Sequence, residues 1–415
     1  MIRRPATVLA LLSGLNLLNY LDRFVLSAVL PKVQDDLHLS NFVGGSLATV
    51  FLIGYIVASP IFGLLADRRR GARRSLLALG IGGWSLATVG SGLARGAGAL
   101  VASRAVVGVG EASYATIAPT IIDEIAPPSS RGRWMAIFSA AIPIGAALGY
   151  LVGGAVEGAT HDWRKAFFVA GFPGIVLALS CLAIADTTPT PGPAQGSIER
   201  PAVLGAAREF FGNPLYRSTV LGMCAYAFAI DGFAFWAPKY LYARYGMDPG
   251  RASTLFGLVT VVAGLIGTGI GGAMADAINR RAKDEASLAR GNLVVCALSA
   301  GLGAPLAAAA VLSPSSSLFF ILVFPCELAL FLQNGPVNVA VLRSVPIGLR
   351  ASAMALSIWL RHLLGDLWSP PLIGLAADHA PMQWAMLLPP LVFVGSGIFW
   401  WRGRLARTSQ GAAAG

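Results

Sequence analysis

The sequence predicts an all-α integral membrane protein, with twelve transmembrane helices arranged as two parallel six-helix bundles. Three observations predict it. Of 415 residues, 55% are hydrophobic and only 12% charged, with a mean hydropathy of +0.68, whereas a soluble domain carries about one-quarter charged residues. Twelve mostly apolar stretches are each long enough to cross about 30 Å of hydrocarbon at 1.5 Å per helical residue. The two halves of the chain also repeat one another.

The stretches run over 6–30, 41–66, 75–94, 97–126, 134–156 and 165–185 in the first half. In the second they run over 216–240, 252–275, 291–312, 317–345, 349–377 and 384–401. The chain starts "MIRRPATVLALLSGLNLL", which has the basic start and apolar core of a secretory leader. The apolar run is too long for one and continues through Asp22 and Arg23, so it reads as an uncleaved first helix. Laid on these spans, 21 of the 31 Lys and Arg fall in the loops and span ends of one side and 7 in those of the other, with Arg23, Arg104 and Arg361 deep within spans. By the positive-inside rule this predicts an integral protein of the cell (inner) membrane with both termini cytoplasmic. The net charge of +11 does not indicate nucleic acid, because no exposed basic stripe with interleaved aromatics is present. Cys181, Cys224, Cys296 and Cys326 fall inside spans without metal-like spacing, so they read as packing residues, and no metal or cofactor is expected.

The expected domains are a first bundle over 1–185, a cytoplasmic linker over 186–214, a second bundle over 215–402 and a tail over 403–415. The linker contains "TTPTPGPAQGSIER", rich in Pro, Gly and Ser. Between the bundles "DRF" at Asp22 recurs as "DGF" at Asp231, and the Pro-Lys pair at Pro31 recurs at Pro238. "GLLADRRRGARR" from Gly63 recurs as "GAMADAINRR" from Gly272, and "RGRWMA" at Arg131 recurs as "RASAMA" at Arg350. All offsets lie between 207 and 219, in unbroken order. Parallel six-helix repeats joined by a linker are the plan of a rocker-switch transporter. In both copies of Gly-x-x-x-Asp, Gly63 with Asp67 and Gly272 with Asp276, Gly would let helices approach closely. Asp67 would face a helix end or pair with Arg73 or Arg74, forming a cytoplasmic gate with Asp276 and Arg280; the alternative is a topology signal that only holds the loop inside.

These features resemble the major facilitator superfamily. More narrowly, "NYLDRF", "GVGEASYATIAPTIIDE", "IPIGAALGYLVGG", "DWRKAFFVAGFPG" and "HLLGDLWSPPLIGLAAD" resemble its Spinster branch, with a looser match over 216–343. The resemblance implies transport of lysolipids or sphingolipid phosphates, coupled to protons in some members. It also implies that the first, fourth, seventh and tenth helices line a central cavity.

Within the spans lie Asp22, Arg23, Arg104, Glu111, Asp231, Glu327, Arg361 and Asp366, with His362 beside them. A charge at mid-bilayer costs about 2.5 to 3.5 kcal/mol or more, so this set is not accidental. Asp22 and Arg23, about 100° apart around the helix, must turn to different partners. Arg104, Gly108 and Glu111 share one face, with the charges about 10.5 Å apart along the axis. Measured from the outer span ends, Arg104, Asp22, Asp231 and Glu327 lie at about 9, 12, 13 and 15 Å, one common layer. The expected proton-coupling residues are Asp22 and Glu111, with Arg23 and Arg104 gripping an anionic head group through their fixed donor forks. Asp231, Glu327, Asn334 and Arg361 complete the expected substrate site. A fixed ion-pair lock of Asp22, Arg104 and Glu111 is the alternative. Glu327, Phe331, Asn334 and Asn338 form a stripe suited either to cavity lining or to interhelical hydrogen bonds. His362 and Asp366, at i,i+4, could simply pair. Phe24, Phe228, Phe233, Phe235, Trp236 and Phe331 are placed to line an apolar channel.

"GTGIGG" at Gly267 fits a dinucleotide fingerprint only formally; inside a span with no preceding strand it reads as helix packing. No GxSxG, HExxH or clustered His and Cys ligands suggest an enzyme. The expected function is secondary active transport of a lipid-like amphipath, with a proton-coupled drug antiporter or a small organic anion carrier as the alternative. A receptor-like sensor on the same scaffold is the reading from another class. The expected working unit is a monomer whose partners are membrane lipids, an amphipathic substrate and protons.

Overall fold

Each apolar stretch forms helix in the computed structural model, which describes residues 4–68, 72–127, 130–184 and 208–406. The first half comprises α1 (Pro5–Leu37), α2 (Asn41–Arg68), α3 (Arg73–Gly92), α4 (Ala97–Ile125), α5 (Arg131–Thr160) and α6 (Trp163–Leu182). In the second half α7 (Pro214–Tyr245), α8 (Pro249–Asn279) and α9 (Glu285–Leu312) are continuous. The tenth passage is split into α10 (Ser316–Phe331) and α11 (Asn334–Arg343), and the eleventh into α12 (Arg350–Arg361) and α13 (Ser369–His379). A short α14 (Met382–Ala385) precedes α15 (Leu388–Leu405). The fold is that of an all-α membrane protein of twelve passages. The expected linker falls largely on 185–207, outside the described residues, as does most of the tail.

The helix ends follow local chemistry. His38 and His161 stop α1 and α5 in the left-handed region, at φ 52° and 53°, each N–H returning to a carbonyl four residues back, Gln34 and Glu157. The Asp162 carboxylate caps α6 by accepting the Arg164 N–H at 3.0 Å. Asp284 caps α9 by accepting the Ser287 N–H at 2.6 Å. That hydrogen bond holds the Asp284 carboxyl below the usual carboxylate range, so the cap contributes above about pH 4 and is lost as the pH falls further.

Both broken passages trace to proline. Pro336 has no N–H for the Leu332 carbonyl, and the helix interrupts at residues 332 and 333. Pro370 and Pro371 likewise withdraw donors from the carbonyls of Asp366 and Leu367. There the chain widens into a π turn over His362–Asp366, closed by the Leu367 N–H on the His362 carbonyl at 3.2 Å. The Trp368 indole N–H donates to the Leu363 carbonyl at 2.8 Å.

The chain divides into two compact units, one of residues 1–193 and 235–258, the other of 194–234 and 259–415. The far ends of α7 and α8 therefore group with the first six helices, whereas the sequence places the division in the linker. In the first unit α1 packs on α5, α4 on α2 and α3, and α3 on α6; in the second, α9 packs on α10, α11 and α15. Ile53, Val57, Ile61 and Leu64 stand exposed along one face of α2, a stripe that hydrocarbon rather than water solvates. The four cysteines are free and buried.

Helices come closest where glycine removes the Cβ, but not at the glycines of the repeated loop motif. A Cβ at Gly63 would meet Thr116 at an ordinary 3.5 Å, and one at Gly272 would meet nothing within 4 Å. The expected close approach at those two positions is thus corrected. It occurs at Gly108, where a Cβ would lie 1.9 Å from the Phe51 carbonyl oxygen, and at Gly271, where it would lie 1.9 Å from the Leu332 carbonyl oxygen. The "GTGIGG" run thus seats α8 against the break in the tenth passage. Gly108→Ala forces backbone apart and should cost about 1–3 kcal/mol or more, read as a lower unfolding temperature in detergent. Gly272→Ala should leave that temperature unchanged or raised.

Candidate functional site

Helix α1 presents Asp22 and Arg23 in adjacent directions, and the two turn to different helices. The Arg23 Nε donates to Glu111 Oε2 of α4 at 2.7 Å. Asp22 Oδ2 accepts the Thr88 hydroxyl of α3 at 3.1 Å, while Oδ1 is buried without a hydrogen-bond partner. Asp22 and Glu111 are 1% and 0% exposed. The Arg23 guanidinium lies 4.9 Å from the Tyr20 ring centre, 5.0 Å from that of Phe51 and 5.3 Å from that of Tyr55. These rings attract a cation through their π faces.

Arg104 is 2% exposed. Its guanidinium lies 5.2 Å from the centre of the same Phe51 ring, and its Nε and Nη1 are buried without a hydrogen-bond partner. Asp22 and Glu111 are the acids whose charges act on it. A guanidinium cannot shed its charge, so burial leaves it an anion-seeking group. Arg104 and Glu111 share an α4 face, as the spacing predicts, but the acid is bonded to Arg23 of the neighbouring helix. A fixed lock through Arg104 is not what the geometry presents.

In the second unit Arg361 Nη2 donates to Asp231 Oδ2 at 3.4 Å. His362 Nδ1 pairs with Asp366 Oδ2 at 2.8 Å across the π turn. Glu327 Oε1 accepts the Thr260 hydroxyl of α8 at 2.9 Å. Asn334 Nδ2 donates to Thr268 Oγ1, also of α8, at 3.2 Å. Asn338 bonds back to the Asn334 carbonyl at 3.0 Å. The expected stripe on one continuous helix is therefore corrected: the break after Phe331 resets its register, and Glu327 and Asn334 serve as interhelical hydrogen-bond partners of α8. Phe331 itself packs against Gly264 and Gly267.

At the expected cytoplasmic ends, the side chain of Asp67 lies outside the described residues. Arg73 donates to Glu124 Oε1 at 2.6 Å, joining the start of α3 to the end of α4. Glu285, at the start of α9, accepts Arg343 at 2.8 Å from the end of α11, and also Arg350. The same tie recurs in both halves with its polarity exchanged. Asp276 and Arg280 are exposed one turn apart, the Arg280 N–H bonding the Asp276 carbonyl; Arg74 is half-buried.

A family model described as Major Facilitator Superfamily matches residues 12–365. Protein spinster homolog 1 of Homo sapiens is 34% identical over 406 residues, covering 92% of this chain and 74% of that protein. The chain belongs to the Spinster branch of the Major Facilitator Superfamily. Protein spinster of Drosophila melanogaster is 35% identical over 374 residues, and the match spans 60% of its length. A relative from Arabidopsis thaliana, named a probable sphingolipid transporter, is 33% identical over 94% of this chain and 84% of its own. A crystal structure of a bacterial homolog to the human lysosomal transporter Spinster shares the fold, with a TM-score of 0.85 at 22% identity over 98% of both chains. The protein is thus a Spinster-type membrane transporter.

Sequence reasoning singled out Asp22, Arg23, Arg104 and Glu111 but missed Thr88, Tyr20, Phe51 and Tyr55 around them. Tyr20, one helical turn before Arg23, was an available signal; Phe51 and Tyr55 lie on α2 and Thr88 on α3, and the sequence does not show which helices pack together. Removing one partner of the Arg23–Glu111 pair strands a buried charge, so Arg23→Met should cost about 3–5 kcal/mol. The double variant Arg23→Met/Glu111→Gln should recover most of it, a coupling that a double-mutant cycle of thermal unfolding measures.

Proposed function

We propose that this Spinster-type transporter moves a lipid-like amphipath with an anionic or zwitterionic head, a lysophospholipid or sphingoid phosphate, by proton-coupled alternating access. The observation that carries the reading is Arg104, a buried guanidinium with two unpartnered donors and Asp22 within electrostatic reach. A phosphate suits such a fork because it offers several acceptor oxygens to planar donors. Arg23 joins it when the head group competes with Glu111 for its guanidinium. Asp22, with one oxygen on Thr88 and one unpartnered, takes up and returns the proton. The name of the Arabidopsis relative supports the substrate class. The proposed setting is the cell membrane, with both termini cytoplasmic, and the proposed working unit is a monomer.

The test is uptake into proteoliposomes of a panel of lysophospholipids, sphingoid phosphates, cationic amphipaths and small organic anions, with and without a pH gradient. Phosphorylated amphipaths should accumulate with the gradient. Arg104→Ala should weaken their apparent affinity about 10- to 100-fold, the loss of one charge-assisted hydrogen-bonding group. Asp22→Asn should retain substrate exchange with a weakened response to the gradient. Accumulation of cationic amphipaths alone would sink the reading.

A further inference from the structure

Glu327 sits eleven residues into α10, about 16 Å along the helix and hence near the middle of the hydrocarbon. Its side chain is 4% exposed. Other acids held within helices have a basic partner, among them Glu111 with Arg23, Asp231 with Arg361, Asp366 with His362, and Glu157 with Lys32 at 4.0 Å. Asp22 lies within electrostatic reach of Arg104. Glu327 differs from all of these. Among the described residues its hydrogen-bond partner is the neutral Thr260 hydroxyl on Oε1, and Oε2 is buried without a partner.

The surroundings supply no compensation. From α8 comes Thr260, and from α7 the buried Tyr226 hydroxyl, on which Arg361, Asp231 and Glu327 all act. The neighbouring Cys326 thiol is turned to the Gly303 carbonyl of α9 at 3.4 Å. Cys326 and Leu330 belong to an apolar cluster that also holds Tyr226, Cys296 and Ala300. One carboxylate and one hydroxyl provide too few oxygens for a metal ion, which takes about six. A lone carboxyl group in such a place removes its charge by binding a proton.

We propose that Glu327 is a second proton-binding site, in the C-terminal half and separate from Asp22, which holds its proton at neutral pH and exchanges it during transport. The hydrogen sits on Oε2, leaving Oε1 as the carbonyl oxygen that accepts from Thr260. Only the exchange step rests on the transport reading above.

Infrared difference spectra of the full chain in lipid decide the occupancy. Wild type minus Glu327→Gln at neutral pH should show the loss of a protonated-carboxyl C=O band. Thr260→Val, which keeps the acid, should move that band to higher frequency by removing its hydrogen bond. Loss of ionised-carboxylate bands in Glu327→Gln, or an unmoved C=O band in Thr260→Val, overturns the proposal; the second variant reports even where the first fails to fold. In proteoliposomes the proton-to-substrate ratio should fall by one in Glu327→Gln, and an unchanged ratio overturns the exchange step. Failure of wild type to transport any phosphorylated amphipath would refute the substrate reading, while the infrared result would still stand or fall alone.

Discussion

The Arg23–Glu111 bond, 2.7 Å long with its carboxylate fully buried and its guanidinium half-buried, is the constraint on which the first unit's site depends. A buried ion pair returns little net stability once desolvation is counted, but breaking it is costly. It therefore specifies more than it stabilises: it orients α1 against α4. With Arg23 turned to α4, Asp22, about 100° away, is aimed at α3 and meets Thr88. With Glu111 occupied by Arg23, Arg104 is left with unpartnered donors. The aromatic ring of Phe51 reaches both guanidinium groups, so it contributes to holding the two cations in one place despite their repulsion.

The two halves share a plan but spend their charges differently. Gly232 follows Asp231 where Arg23 follows Asp22, so the second half has no base on α7 at that depth. Its acid takes a base from the eleventh passage, Arg361. The π turn immediately after Arg361 shifts the helix register, and it is there that His362 and Asp366 pair. At the expected cytoplasmic ends the pairing geometry survives with signs reversed, Arg73 to Glu124 against Glu285 to Arg343. Coulomb attraction is indifferent to which partner carries which sign, so a repeat can keep the tie while losing the sequence likeness.

The positions of the charged residues along their helices were legible in the sequence because helical rise is fixed and apolar runs mark the helices. The choice of partners was not. Axial position follows from counting residues, but the facing of one helix to another depends on packing, and "GTGIGG" shows how. Gly271 fits the Leu332 carbonyl, a group made prominent by a helix break that a single Pro336 signals. Reading 317–345 as continuous put Glu327, Asn334 and Asn338 on one stripe; the break gave them separate tasks. Likewise, Gly63 and Gly272 belong to a repeated motif, yet the close contacts are made by Gly108 and Gly271. Motif membership reports a shared plan, while close approach is decided by which Cα meets a neighbouring carbonyl.

The grouping of residues 235–258 with the first six helices has an energetic side. Lys239 donates to Gln34 Oε1 at 2.6 Å and Ser253 to the Ala28 carbonyl at 3.1 Å. The first is a charged-to-neutral hydrogen bond and the second a neutral one, with net values of about 1.5–3 and 0.5–1.5 kcal/mol. Neither of these two bonds has an acid as its acceptor. By contrast, separating Arg23 from Glu111 would leave a carboxylate at 0% exposure without its base, at about 3–5 kcal/mol. The cheap hydrogen bonds lie where α7 and α8 pass from one unit to the other, and the expensive ion pair lies wholly within the first unit. The hydrogen bonds that tie α7 and α8 to α1 are therefore cheaper to exchange than the ion pair that ties α1 to α4.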